Sequence, residues 1–275
     1  MNKPFICIAG RNTIAVRSLK YLIEEFDYEK EKLLAIVSSN DDGIDKYQLS
    51  FKKYVLENSI ETISLQEAYR IENLIFISLQ YDVILRPNKF LSAELFNIHF
   101  SLLPEYKGMY TSALPILHGR NKSGVTLHLI DDGIDTGEII DQQTVNINQD
   151  DTSKDLYEKY TDFGVILFKK NLNSLINKKY IATKQDSLMS SYFSKKSIDY
   201  NNLIIDLNKT AFQIKNQIRA FTYEGLQFPK IFNIEIKKAI IIDEKSKGKA
   251  GTIIEDKKDF LIINTVDFQL KLIKK

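Results

Sequence analysis

The chain has 275 residues, 44% of them hydrophobic and 27% charged, with a formal net charge of +2. These proportions exclude wholesale disorder, and so small a net charge gives no global electrostatic case for nucleic acid. One cysteine, Cys7, excludes an intrachain disulfide framework and a cysteine-cluster zinc site, and three histidines leave few candidates for imidazole chemistry.

The first apolar run, Phe5 to Ala9, is too short for the core of a signal peptide and predicts a buried strand. It closes on Gly10-Arg11-Asn12-Thr13. Apolar residues at Ile14, Leu19, Leu22, Ile23 and Phe26 then recur at helical spacing, with Asn12 or Thr13 as N-cap. Leu33 to Ser38 predicts a second strand, Asp45 to Leu56 a helix, and Ile60 to Ser64 a short strand. Leu65 to Glu72 predicts a helix and Leu74 to Leu79 another strand. This alternation predicts an α/β fold, a Rossmann-like three-layer domain with a mostly parallel sheet.

Phe96 to Phe100 and Gly124 to Ile130 follow as strands. Between them Met109 to Leu117 predicts a helix, irregular or kinked at Pro115. Residues 151–178 carry a long helical pattern through Leu156, Tyr160, Phe163, Ile166, Leu167 and Leu172, capped by Asp151-Thr152-Ser153. Lys209 to Phe221 predicts a further helix. Ala239 to Ile242, Gly251 to Ile254, Phe260 to Thr265 and Phe268 to Ile273 predict short strands. The expected organisation is a main domain over residues 1–180, a connector over 181–205, and a small helix plus β-rich element over 206–275. No repeat or low-complexity linker interrupts it, and no run reaches membrane-span length, so a soluble cytoplasmic chain without a membrane partner is expected.

The chemistry concentrates in Phe96-Asn97-Ile98-His99-Phe100-Ser101-Leu102-Leu103-Pro104, then Glu105-Tyr106-Lys107-Gly108, and in Asp131-Asp132-Gly133-Ile134-Asp135-Thr136-Gly137. Asn97 and His99 alternate by two and share a strand face, with Phe96, Ile98 and Phe100 on the other. Asp135 sits on a glycine-rich turn that can approach a ligand closely. An amide, an imidazole and a carboxylate supply the parts for acyl transfer: a donor for an oxyanion, a proton acceptor and a group that stabilises the imidazolium. On pattern alone, Asn97 and His99 could equally satisfy strand-edge hydrogen bonds, and Asp135 could be only a turn former. His118 reads as a helix C-terminal residue, and His128, in T-L-H-L-I, as a hydrogen-bonded structural one.

The pieces F-N-I-H-F-S-L-L-P-x-Y-K-G and G-V-T-L-H-x-I-D-x-G-I-D-T-G-E-I-I resemble the active-site core of the 10-formyltetrahydrofolate-dependent formyltransferases. The resemblance implies a formyltransferase domain with Asn97, His99 and Asp135 as catalytic triad, no metal, and 10-formyltetrahydrofolate as formyl donor. It also implies a cis Leu103–Pro104 bond. The folate would lie beside Ser78, Leu79, Gln80, Tyr81 and Ile84 on one loop and Asp131 and Gly137 on the other, at strand ends where open α/β sheets bind ligands.

Within that family, Lys107-Gly108-Met109-Tyr110-Thr111-Ser112-Ala113-Leu114-Pro115 and Ile218-Arg219-Ala220-Phe221-Thr222-Tyr223-Glu224-Gly225 look most like the sugar-nucleotide branch. That branch formylates dTDP-linked amino-dideoxy sugars for bacterial surface polysaccharide (O-antigen). The resemblance puts dTDP-4-amino-4,6-dideoxyglucose first and a dTDP-3-amino-3,6-dideoxyhexose next. Lys107 and Arg219 are candidates for the diphosphate, Tyr110, Phe221 and Tyr223 for the base, and Ser112 for a further substrate contact. Lys107 could be only a solvated loop residue, and Arg219 and its aromatic neighbours a core or dimer contact.

A methionyl-tRNA formyltransferase-like enzyme is the first alternative. Residues 236–275 hold ten lysines against six acidic residues, too small an excess to track phosphates and consistent with no nucleic-acid partner. A 10-formyltetrahydrofolate hydrolase would reuse the triad with water; the absence of a regulatory domain before residue 1 counts against it. A non-catalytic sugar-nucleotide binding protein would have no need of the triad. Exposed C-terminal strands make a homodimer the expected assembly.

Overall fold

The structure is a computed structural model that describes residues 3–275, and the chain divides into two units. The first runs to Gly108 and adds Gly124–Val145 and Lys159–Tyr192; the second gathers Met109–Ser123, Asn146–Glu158 and Phe193–Lys275. The helices are α1 (Asn12–Glu24), α2 (Phe51–Glu57), α3 (Leu65–Ala68), α4 (Leu114–Leu117), α5 (Ser153–Ile176) and α6 (Ala211–Phe221).

In the first unit, β1 (Phe5–Gly10), β2 (Leu33–Val37), β3 (Glu61–Thr62), β4 (Leu74–Leu79) and β5 (Glu94–His99) pair in parallel in the order β3-β2-β1-β4-β5. After the two-residue β6 (Lys107–Gly108), β7 (Lys122–Leu129) runs antiparallel to β5, and β8 (Ile139–Asn146) completes a seven-stranded sheet. β9 (Tyr192–Phe193) lies within the connector that follows α5. β1, β2 and β4 are apolar almost throughout, because both their faces are covered. One face buries Cys7, Ala9, Leu34, Ile36, Leu74 and Phe76 with Ala68, Leu85 and Phe90. The other presents Ile98 and Phe100 to Ile14 of α1 and to Tyr160 of α5, whose ring lies 5.4 Å from that of Phe100.

The second unit is built on β10 (Lys230–Ile231), β11 (Ile234–Lys245), β12 (Ile253–Asp256), β13 (Phe260–Asn264) and β14 (Phe268–Lys274), in the antiparallel order β10-β11-β14-β13-β12. α6 packs on β11 and β14 and against α4. Ile214 and Ile218 of the helix and Ile236, Ala239, Leu270 and Leu272 of the sheet are buried. Thr210 and Gln213 close a capping box at the start of α6. The fold class is as the patterning predicts: a mostly parallel sheet flanked by helices, then an antiparallel C-terminal element. The Leu103–Pro104 bond is cis. Among the described residues no helix is long and apolar enough to cross a membrane.

Several boundaries differ from the patterning. Neither Asn12 nor Thr13 caps α1: Arg11 takes the cap position, Asn12 has φ +64°, and Thr13 Oγ1 accepts a hydrogen bond from Leu49 N. α2 begins six residues later than the helix expected from Asp45. The Asp45 carboxylate accepts from Ser50 N, and Ser50 is the N-cap. The helix expected over Met109 to Leu117 shrinks to one turn, with Pro115 at its N-terminus, where a missing N–H costs nothing. β8 has no counterpart in the sequence reading. Its Asp-Gln-Gln-Thr stretch lies at the sheet edge, where side chains need not alternate in polarity.

Gly10 ends β1 between two neighbouring strands, and a Cβ there would stand 2.1 Å from Leu79 O. Gly10→Ala should therefore cost about 1–3 kcal/mol, the usual penalty for overpacking. For a domain of about 150–250 residues that is a fall of roughly 2–12 °C in melting temperature. A thermal melt unchanged from wild type would contradict this packing.

Candidate active site

β5 delivers Asn97 and His99 from one face of its last three residues. β7 lies antiparallel beside it, in a register that sets His128 opposite Asn97 and Thr126 opposite His99. Directly opposed residues in such a pair have neighbouring side chains. The loop after β7 brings Asp135 to the same place. Its φ of +54° is uncommon for a residue with a side chain. Asp131 Oδ1 braces this loop from within, accepting from Gly133 N at 3.1 Å and Thr136 Oγ1 at 2.6 Å. Gly137 is fixed by close approach, since a Cβ there would stand 1.8 Å from Leu129 O.

His99 Nε2 lies 2.8 Å from the Tyr106 carbonyl, which can only accept, so the ring hydrogen sits on Nε2. Nδ1 then faces Asp135 Oδ2 at 3.5 Å. Any proton His99 gains goes onto Nδ1, beside the carboxylate that stabilises it. By the same logic His128 Nδ1 donates to Leu129 O at 2.7 Å, leaving Nε2 to accept from Asn97 Nδ2 at 3.1 Å. The second Nδ2 hydrogen of Asn97 reaches Asp135 Oδ1 at 3.3 Å. A flipped carboxamide would set its oxygen against a lone pair and a carboxylate, so the orientation is determined.

Asp135 is the electrostatic centre of the cluster. Burial alone would raise its pKa. With positive charge on the His99 and His128 rings, these and the Gly108 N–H, which donates to Oδ2 at 2.9 Å, outweigh that and hold the carboxyl well below the usual carboxylate range. His99 and Asp135 side chains are 10% and 12% exposed, and Asn97 is half-buried, so the cluster is sheltered but reachable.

The structure thus brings Asn97, His99 and Asp135 together and adds His128, which the sequence reading treats as structural only. His128 is indeed buried and hydrogen-bonded, but its Nε2 is what orients Asn97. Knowledge that β5 and β7 pair antiparallel would have found it.

Ser78, one residue before the end of β4, lies opposite Asn97, and Leu79 beside it is fully buried. Gln80 has φ +59°, Tyr81 is half-buried with its phenol raised chiefly by burial, and Ile84 is exposed. The Lys107 side chain is buried, and its backbone N donates to Ser191 O at 2.9 Å.

The remaining candidates lie in the second unit. Tyr110 donates its hydroxyl to Lys195 O at 3.0 Å and meets Tyr200 edge-on at 5.3 Å; Tyr200 in turn meets Phe221 at 6.3 Å. The sequence reading missed Tyr200, whose phenol is pushed up to about 12, chiefly by burial. Ser112 is half-buried. Tyr223 lies edge-on to Tyr157 at 6.2 Å. Arg219, 7% exposed, donates Nε to Asn216 Oδ1 and Nη1 to the Asn148 and Asp151 carbonyls, so these donors tie α6 to the turn before α5. It lines a cleft of about 170 Å³ shared with Asp150, Lys215 and Lys238. There Asp150 accepts from Lys215 at 2.7 Å and Lys238 at 3.0 Å, and those bonds lower its pKa to about 2.

Residues 35–172 match the model of the formyl transferase family, and residues 197–274 match that of the formyl transferase C-terminal domain. A methionyl-tRNA formyltransferase of Coxiella burnetii is 28% identical over 276 residues, covering 94% of this chain and 86% of the relative. Two solved structures are much nearer. One is an N-formyltransferase from Helicobacter canadensis in complex with folinic acid and dTDP-3-aminofucose: 43% identity, TM-score 0.92, covering 99% of this chain and 100% of that one. The other is WlaRD, a sugar 3N-formyl transferase solved in the presence of dTDP and 5-N-formyl-THF: 44% identity, TM-score 0.92, covering 100% of this chain and 98% of that one. With both of its parts matched and the fold shared along its whole length, the chain belongs to the formyl transferase family.

Proposed function

We propose that this chain is an N-formyltransferase that moves a formyl group from 10-formyltetrahydrofolate to the amine of a dTDP-linked 3-amino-3,6-dideoxyhexose destined for surface polysaccharide. The observation that carries the reading is the convergence of Asn97, His99 and Asp135 at the end of β5. Likeness at 43–44% identity to proteins named for a 3-amino sugar and for 3N transfer favours position 3 over the 4-amino sugar that the motifs put first. The 4-N formyltransferase from Francisella tularensis, at 22% identity, speaks for the fold alone.

The donor set suits acyl transfer from such a donor, which supplies an electrophilic formyl carbon. The neutral sugar amine attacks that carbon. Asn97 Nδ2 turns its longer hydrogen bond, the 3.3 Å one to Asp135, toward the oxygen on which charge develops. In other enzymes one such donor is worth roughly 3–4 kcal/mol. His99 Nδ1 accepts the amine proton, Asp135 stabilises the resulting imidazolium, and the same proton is then available to the departing N10. Orientation of His99 comes from the Tyr106 carbonyl rather than from Asp135.

Methionyl-tRNA as acceptor is the second reading, supported by the curated relatives at 28% identity. The modest basic excess of the C-terminal region counts against it. A panel of dTDP-3-amino and dTDP-4-amino sugars, with methionyl-tRNA as a further arm and 10-formyltetrahydrofolate as donor, separates the cases by product mass. Formylation of the 3-amino sugars is expected; no formylated sugar across the panel would sink the proposal.

His99→Asn should lower turnover by at least ~100-fold while substrate binding is largely retained. Unchanged turnover would remove His99 from its role. The Asp135 carboxyl, held low in the fold, titrates near ~3.9 when unfolded. Its pairing therefore contributes fully above about pH 4 and is lost as pH falls through the folded value. The urea-unfolding difference between wild type and Asp135→Asn should accordingly shrink between pH 6 and pH 3. A difference independent of pH would show that the pairing is not made.

A further inference from the structure

The Asp135 loop is held from outside by a residue that the triad does not include. The connector after α5 meets the start of β8 through two reciprocal backbone bonds, Ile139 N to Thr183 O and Thr183 N to Ile139 O, each 2.8 Å. Two residues on, the side chain of Gln185 reaches back into the loop. Its Nε2 donates to Asp135 O at 2.9 Å and to Gly137 O at 2.7 Å. Only an amide nitrogen can face two carbonyls, so the carboxamide cannot be turned over. Its oxygen, Oε1, is buried without a hydrogen-bond partner.

We propose that Gln185 is a positioning residue for the formyl-transfer site, a two-pronged clamp that fixes the backbone from which the Asp135 carboxylate projects. The backbone needs such a hold. Asp135 adopts φ +54°, which an L-residue with a side chain leaves readily unless its surroundings determine it. Asp131 braces the loop only from within, and Gly137 is pressed against Leu129 O on the β7 side. Gln185 closes the remaining side. The carboxylate it steadies makes the 2.9 Å bond to Gly108 N and the 3.3 Å bond to Asn97, and stands 3.5 Å from His99 Nδ1. Errors of about 1 Å in such a constellation cost on the order of 100-fold in rate. Gln185 touches none of these side-chain groups, so its effect is exerted through Asp135.

The inference rests on the formyl-transfer reading for its kinetic arm and on geometry alone for its structural arm. Gln185→Met keeps the shape and removes both donors; Gln185→Lys restores a donor. Turnover of Gln185→Met should fall about 10- to 100-fold with KM for both substrates within about threefold of wild type, and Gln185→Lys should recover part of the loss. In the Asp135→Asn background the Met substitution should add little, because both act through one group. Unchanged turnover, a rise in KM without loss of turnover, or full additivity would overturn the proposal. Hydrogen exchange of the unliganded protein supplies a readout that needs no substrate. Exchange should quicken in the peptide spanning residues 131–138 and stay unchanged in the β1 and β4 peptides. Equal exchange in variant and wild type would overturn the clamp even if the substrate panel fails. Quickened exchange with no formyl transfer to any acceptor would instead fault only the functional reading.

Discussion

The candidate site depends on keeping one carboxylate charged where burial works against it. Asp135 is taken largely out of water, and only what surrounds it makes that tolerable: the Gly108 N–H, one hydrogen of Asn97 and, when the rings are protonated, the positive charge of two imidazoles. The four partners arrive on three elements. β5 provides the amide and one ring, β7 the other ring, and β6 the backbone donor. The antiparallel turn of the sheet from β5 to β7 is what gathers them. A wholly parallel sheet would have carried His128 to another strand neighbour and left Asn97 without the acceptor that orients it.

The strands of the parallel sheet were legible because their burial on both faces writes continuous apolar runs, as in Leu33 to Val37 and Leu74 to Leu79. The long α5 was legible for the complementary reason, an apolar stripe at helical period. The short helices were not. α2 and α4 are set by local side-chain bonds and by a proline, which compete with periodicity over a few residues. β8 was invisible because an edge strand is free of the burial that imposes alternation.

At the site, Asn97 and His99 could be paired from their spacing on one strand, and Asp135 from its glycine-rich turn. Their meeting was an inference of resemblance rather than of periodicity, since nothing within residues 131–137 says which strand end they reach. His128, Tyr106 and Gly108 were illegible in another way. One acts through strand register, and the other two act through backbone atoms that any residue carries. In the second unit the aromatic candidates Tyr110 and Phe221 could be named, but not the Tyr200 that joins them.

The bond from His99 Nε2 to the Tyr106 carbonyl has a consequence for proton traffic. One edge of the ring is sealed by an acceptor that never titrates, so the imidazole cannot pass a proton through itself from one nitrogen to the other. It works as a one-ended store: what enters at Nδ1 must leave at Nδ1. Loading and unloading then occur on the same side, next to Asp135, and in sequence. In the proposed formyl transfer such a ring would take its proton from the incoming nitrogen and return it to the outgoing one.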